Sequence, residues 1–308
     1  MTLGTVGCLA APPGGAARRG RIRAVFARCV HAACDDCCLT LGQASLPAHP
    51  YSILWRGFPG GWRVGEEVAV TAEGVFAKGG LVVATAALAP FSPPTSRRPM
   101  AGPPRIRQAL AVSAAAARAI PRRGGFHDLL HDFPGPAPSE ATGRLSGAID
   151  GLERRLGARL ARALGRGDWD DFVVAARDLA GLGQGLTPAG DDFLAGVLGA
   201  LRFHGESSGA PIFPRLSLAD LAGELVGRTT AFSGFLLRCA ARGLVAGPVG
   251  DWLAAVHGGE AAEAGRAVAS LAALGHSSGL DALAGMWLAM RTVTASVTDT
   301  GEPTWLEH

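Results

Sequence analysis

The sequence predicts an α+β protein, with a small N-terminal β-sheet or barrel domain followed by a larger helical domain rich in glycine and alanine. Three observations predict it. Up to about residue 95, short runs of β-formers alternate with turn residues. Beyond that point apolar residues recur at helical spacing. The chain has 308 residues, of which 48% are hydrophobic and 18% charged, enough apolar material to bury a large core and too little charge for a disordered chain.

Taken in order, residues 1–20 are expected to be a flexible N-terminus. Residues 21–95 form the β-rich domain, with strands in YSILWRG, EEVAVTAEG, GVFAKGG and GLVVATAAL, each bounded by Gly or Pro. Residues 96–104, within FSPPTSRRPMAGPP, read as a proline-rich linker. Residues 105–300 then form the helical domain. Helices are expected over Ile106–Ile120, Ala141–Leu164, Asp168–Leu182, Pro188–Phe203, Leu216–Val226, Ala231–Gly243, Asp251–His257, Glu260–Leu274 and Ser278–Val297. In the second of these, Leu145, Ile149, Leu152, Leu156 and Leu160 mark an apolar face. A glycine inside a helix costs about 1 kcal/mol against alanine. Gly196, Gly199 and Gly285 are therefore expected to serve close packing.

Composition also excludes function classes. A net charge of +3 with no dense basic stripe argues against nucleic acid as partner. No stretch reaches the roughly 18 uninterrupted apolar residues of a membrane helix, and the first twenty residues lack the basic start and apolar core of a signal peptide. The expectation is a soluble cytoplasmic protein. The six cysteines include four in CVHAACDDCC, Cys29 to Cys38, but no second ligand pair follows at zinc-site spacing, so these are expected as thiols in or beside a strand.

The chemistry is expected on two turns. GLGQGLTPAGDDFLAG, Gly181 to Gly196, alternates glycines and then opens a helix with Thr187 as N-cap and Pro188 at the first helical position. A helix start offers unpaired N–H groups and a positive dipole end, and glycines let a ligand approach the backbone, so the segment reads as an anion site. GHSSGLDALAG, Gly275 to Gly285, repeats the construction: Gly190, Asp192, Leu194, Ala195 and Gly196 align without gaps with Gly279, Asp281, Leu283, Ala284 and Gly285. The repeat suggests two helix starts converging on one pocket. No lysine follows the glycines as a Walker loop requires, and GLGQGL lies between helices and not after a strand, which argues against a dinucleotide site. In a third segment, GRTTAFSGFLLRCAARG, residues Thr229, Thr230 and Ser233 precede a helix carrying Arg238 and Arg242.

The candidate ligand-binding residues are accordingly Gly183, Gly185, Thr187, Gly190, Asp191, Thr229, Thr230, Ser233, Ser277, Ser278 and Gly279, with His276, Asp192 and Asp281 as candidate catalytic residues. His276 suits proton transfer or donation to an anion. The plain alternative is that the hydroxyls cap helices and the acids complement helix dipoles. A metal-assisted hydrolase holding Mg²⁺ or Mn²⁺ on Asp191, Asp192, Asp281 and His276 is a second reading, against which stands the separation of about 100° between adjacent helical residues. A non-catalytic assembly subunit, its glycines serving packing alone, is a third.

The three segments, in this order, resemble the AllH family, whose members carry Gly-x-Gly-x-Gly-Leu-Thr-Pro-Ser-Gly-Asp-Asp-Phe-Leu, then a Thr/Ser-rich helix start, then Gly-His-Ser-Ser-Gly-x-Asp. Here these are Gly181 to Leu194, Thr229 to Gly243 and Gly275 to Asp281, with Ala189 in place of the serine. Pro50–Ile53, WRVGEEV and GLVVATAALAP are similar more loosely. The resemblance implies a subunit that joins FdrA/AllF-like and AllG-like proteins as oxamate carbamoyltransferase in purine-nitrogen catabolism. That enzyme interconverts oxalurate plus phosphate with oxamate plus carbamoyl phosphate, so the implied ligands are small anions.

Overall fold

The structure is a computed structural model that describes residues 3–10, 16–35, 37–94, 99–132, 148–208 and 217–295. The chain divides into two compact units, Met1–Pro93 with Leu244–Gly247, and Pro94–Gly243 with Pro248–His308.

The first unit is a nearly closed barrel of nine strands. These are β1 (Gly4–Gly7), β2 (Arg18–Val25), β3 (Cys29–Cys34), β4 (Cys38–Gln43), β5 (Ser52–Trp55), β6 (Glu67–Val70), β7 (Gly74–Ala77), β8 (Gly80–Ala84) and β9 (Leu88–Phe91). Their order is β8-β7-β6-β2-β3-β4-β5-β1-β9, antiparallel except for the parallel pairs β4–β5 and β1–β9. Four strands precede the first expected one. β1 lies within the stretch expected to be flexible; it is fixed by pairing with β5 on one side and β9 on the other. β2 carries arginines at alternate positions, with Ile22 buried between exposed Arg21 and Arg23, so its polar face conceals a strand period of two. The cysteine run is the β3–β4 hairpin, where Cys34 N donates to Cys37 O at 2.8 Å, and all six cysteines are thiols without disulfides.

The second unit is helical: α1 (Pro103–Arg118), α2 (Leu129–Asp132), α3 (Ala148–Arg166), α4 (Trp169–Leu179), α5 (Ala189–Ser208), α6 (Leu218–Leu225), α7 (Ala231–Ala240), α8 (Gly247–His257), α9 (Ala261–Ala272) and α10 (Ser278–Ala295). α1 starts inside the expected linker because Pro103 and Pro104 suit the first helical turn, where no N–H is needed. Among the expectations that fall outside the described residues are Leu145, Leu216 and Val297, and nothing is assigned to them.

α5 and α10 pack along each other at the centre of this unit. A Cβ on Gly196 would lie 2.1 Å from Ala282 O, and one on Gly285 would lie 2.0 Å from Phe193 O, so each helix presses its glycine on the other's backbone. That reciprocal contact is the packing reason for two mid-helix glycines. The repeat in sequence is also a repeat in structure. Gly190 N donates to Leu182 O at 2.8 Å, and Gly279 N donates to Leu274 O at 3.0 Å. A Cβ on Gly190 would meet Leu179 O at 2.1 Å, and one on Gly279 would meet Leu271 O at 1.8 Å. α4–turn–α5 and α9–turn–α10 are thus one unit used twice.

α3 keeps part of its expected apolar face, with Leu160 fully buried, and departs from it elsewhere. Leu152 is 40% exposed, whereas Glu153 and Gly157 are buried. Gly157 faces Leu129 and Phe126. These come from a short helical turn, Gly125–Asp128, and from α2, neither of which was expected.

Candidate functional site

The two helix starts meet. Thr187 Oγ1 and Ser278 Oγ are 3.2 Å apart, and both hydroxyls lie beside the Asp192 carboxyl, where they favour its ionised form. This contact exists because α5 and α10 cross at their glycines and bring equivalent ends together.

The alternating glycines of the first turn have a conformational cause. Gly181, Gly183 and Gly185 all have positive φ, at 78°, 113° and 98°, a region that side chains disfavour. The loop coils tightly ahead of α5, leaving Gly183, Gln184 and Gly185 exposed and Thr187 half-buried. α5 begins at Ala189, and Pro188 O accepts from Asp192 N at 3.2 Å. Pro188 therefore occupies the cap position expected for Thr187, and the Thr187 hydroxyl turns to Ser278 and Asp192. Ser277 plays the part of Pro188 in the second turn, its carbonyl accepting from Asp281 N at 2.9 Å.

The adjacent acids face different partners. Asp191 Oδ1 accepts from Gly181 N at 2.8 Å, and its Oδ2 accepts from Thr229 Oγ1, so this carboxylate ties the glycine turn to the segment before α7. Thr230 caps α7 by accepting from Ser233 N at 3.1 Å, and its hydroxyl donates to Leu186 O at 2.7 Å. Ser233 Oγ donates to the same carbonyl at 3.5 Å. Thr229, Thr230 and Ser233 thus hold the turn from behind. Gly190 and Gly279 are buried against the preceding helices, and His276 is exposed at the rim of the second turn.

Asp192 and Asp281 occupy equivalent places in the repeat and are 7% and 0% exposed. Burial pushes the Asp192 carboxyl up to about 7, with the negative charge of Asp191 adding to the rise against the hydroxyls of Ser278 and Thr187. Burial pushes Asp281 up to about 8, reinforced by Asp192 and, more weakly, by Glu153, against the hydroxyl of Ser277 and the Phe126 N–H. Oδ2 of each aspartate is buried with no hydrogen-bond partner among the described residues. At neutral pH such a pair holds protons, which equips it for general acid–base work.

Sequence reasoning missed four residues here. Phe126 N donates to Asp281 Oδ1 at 2.7 Å. Gly125 makes that approach possible, since its φ is +67° and a Cβ there would lie 2.4 Å from the carboxylate. Glu153, buried on α3, adds a third acid. Arg123 Nη1 donates to Ala272 O and His276 O, both at 2.8 Å, and so fixes the second turn. Two signals were present in the sequence: the Gly124–Gly125 pair, and a glutamate four residues after Ile149 on a helix face.

The three aspartates do not converge as a metal site, because Asp191 is directed at Gly181 and Thr229. Among the described residues, no group of three or more His, Cys, Asp or Glu side chains is placed to hold a metal ion. Among the same residues, no helix is long and apolar enough to cross a membrane. No solved structure matches this chain. Residues 179–290, which contain the first turn, α5, α7, the second turn and most of α10, match the family described as oxamate carbamoyltransferase subunit AllH.

Proposed function

We propose that the joined turns bind the oxygens of a small anionic substrate, and that the chain serves as the anion-binding subunit of a carbamoyltransferase-type enzyme acting on oxamate or oxalurate and carbamoyl phosphate. The observation that carries this reading is the meeting of two helix starts at Thr187 and Ser278, with exposed glycine backbone at Gly183 and Gly185 beside them. Two helix dipoles and the backbone N–H groups of both turns then bear on one place, where an anion is favoured. Thr187, Ser277 and Ser278 supply hydroxyls, and His276 stands at the rim for proton donation or orientation. Catalysis of carbamoyl transfer at such a site rests on positioning and on stabilising charge that develops on the transferred group.

The proposal extends to partners. The family description names an enzyme subunit, and FdrA/AllF-like and AllG-like proteins are the proposed companions, in purine-nitrogen catabolism in the cytoplasm. The direct test is calorimetric titration of the chain with phosphate, carbamoyl phosphate and oxamate. Saturable binding to the wild type, weakened at least tenfold in Thr187→Val, Ser278→Ala and His276→Ala, is the expected result. Unchanged affinity in all three variants would remove the ligand from these turns. Gly190→Val is unsuitable for this purpose, since its side chain would collide with Leu179 O.

One observation favours a second reading, a non-catalytic assembly subunit: Gly190, Gly196, Gly279 and Gly285 all serve backbone packing. Transferase activity that survives the three substitutions above in a complex with the partner subunits would select it.

A further inference from the structure

We infer that Asp192 is a positioning residue that admits the anion only when it carries a proton, so that anion binding at the two turns takes up one proton. The inference rests on the anion-site reading above and assigns that site its regulation.

The argument is one of counting hydrogen-bond donors. Thr187 and Ser278 each own one hydroxyl proton. Both hydroxyls lie beside the Asp192 carboxyl, near enough to favour its ionised form, and they are 3.2 Å from each other. An ionised Asp192 is an acceptor only, so it engages both hydroxyl protons and leaves none for a ligand. A protonated Asp192 instead donates to one hydroxyl, and a hydroxyl proton is released towards the half-buried rim. The same ionisation decides the electrostatics, because a carboxylate behind the two hydroxyls repels an anion in front of them.

The surroundings of Asp192 leave the proton as the means of relieving its charge. The side chain is 7% exposed and its Oδ2 has no hydrogen-bond partner among the described residues. The acids beside it add negative charge: Asp191 on α5 and Asp281 on α10, the latter itself facing Glu153 on α3. The neighbouring cations are engaged elsewhere. Arg122 and Arg154 pair with Asp128 at 3.6 and 3.8 Å, and Arg123 donates to the carbonyls of Ala272 and His276. His127 Nε2 donates to Ala117 O. Burial beside other acids holds the Asp192 proton into the neutral range.

Sulfate is the probe, because it does not titrate in the neutral range and so reports the protein's proton alone. Its affinity for the full chain is measured by calorimetry from pH 5.5 to 9, in two buffers of different ionisation enthalpy. The wild type is expected to lose about tenfold in affinity per pH unit once Asp192 ionises, and to take up close to one proton per sulfate above that point. Asp192→Asn keeps an acceptor and a donor at this place, and is expected to bind sulfate with a flat pH profile, more tightly than the wild type at pH 8.5. Exposed His276 also stands at the rim, so His276→Gln is measured in parallel. A pH slope that vanishes in His276→Gln and persists in Asp192→Asn overturns the inference. So does wild-type binding with no proton uptake, a result that needs no variant to fold. Absence of sulfate binding at every pH instead removes the anion site itself, and the coupling with it.

Discussion

At the scale of single residues, the buried aspartates and the crossing glycines make the sharpest predictions. Asp281 is fully buried, and its folded-state pKa is raised to about 8 from an ordinary value near 4. A raised acid contributes stability that is complete below the unfolded pKa and is lost as pH rises through the folded one. Asp281→Asn keeps an acceptor for the Phe126 N–H and removes the titration. The wild type is therefore expected to lose stability relative to this variant between pH 4 and 8, by at least about 1 kcal/mol. Urea midpoints at pH 5 and pH 8 measure it, and parallel behaviour of the two proteins would refute the assignment. Gly196→Ala or Gly285→Ala places a methyl group about 2 Å from a carbonyl oxygen of the facing helix. Either is expected to cost about 1–3 kcal/mol, as overpacking does, although alanine has the better helix propensity. Thermal unfolding of both variants checks this, and a stabilised Gly196→Ala would contradict the crossing.

At the scale of elements, α7 is an anchor for the first turn. Its cap, Thr230, satisfies Ser233 N and holds Leu186 O, while the preceding Thr229 holds Asp191. Thr230→Ala loses the cap and the tie to the turn together. It is expected to cost about 0.5–2 kcal/mol of stability and to weaken anion binding several-fold, because the turn that carries Thr187 is no longer fixed. Thr230→Ser restores the hydroxyl and is expected to recover both. A loss of stability with unchanged binding would confine Thr230 to capping. Legibility at this scale was uneven. Long helices announced themselves by spacing and end residues. The Gly125–Asp128 turn and α2 did not, since they are too short for a period to register and owe their helical turns to Phe126 stacked on Phe193, with ring centroids 4.3 Å apart.

At the scale of the whole molecule, two sets of desolvated titratable groups oppose each other. His31, His49, His204 and His257 all have pKa values lowered by burial, to about 4, 3, 4 and 3. A base whose folded pKa is depressed loses its stabilising contribution as pH falls from the unfolded value near 6.5 towards the folded one. Asp192 and Asp281 act the other way, gaining as pH falls from about 8. Stability is therefore expected to peak in the slightly acidic range, between an alkaline decline from the aspartates and an acid decline from the histidines. The two ring nitrogens of His257 have no partner among the described residues. His257→Leu is thus expected to soften the acid decline, read as a smaller fall in unfolding temperature between pH 6.5 and 4.5. An unchanged fall would exclude it from the acid response.

By itself the sequence determined the α+β division, the type and approximate span of the main helices, the repeated turn-plus-helix segment and the likeness of residues 179–290 to the AllH family. Each of these is written in local spacing, end residues or a contiguous motif, which fold compaction does not alter. Tertiary structure alone decided which candidates share a site. Asp191 and Asp192 are neighbours in sequence, yet the helix directs one to Gly181 and Thr229 and the other to Thr187 and Ser278. Phe126, Glu153 and Arg123 joined the site from segments with no motif, because burial against α10 and the second turn is a property of packing at long sequence separation. The arginine-rich β2 and the short β1 became strands through their neighbours' hydrogen bonds, which no local pattern records.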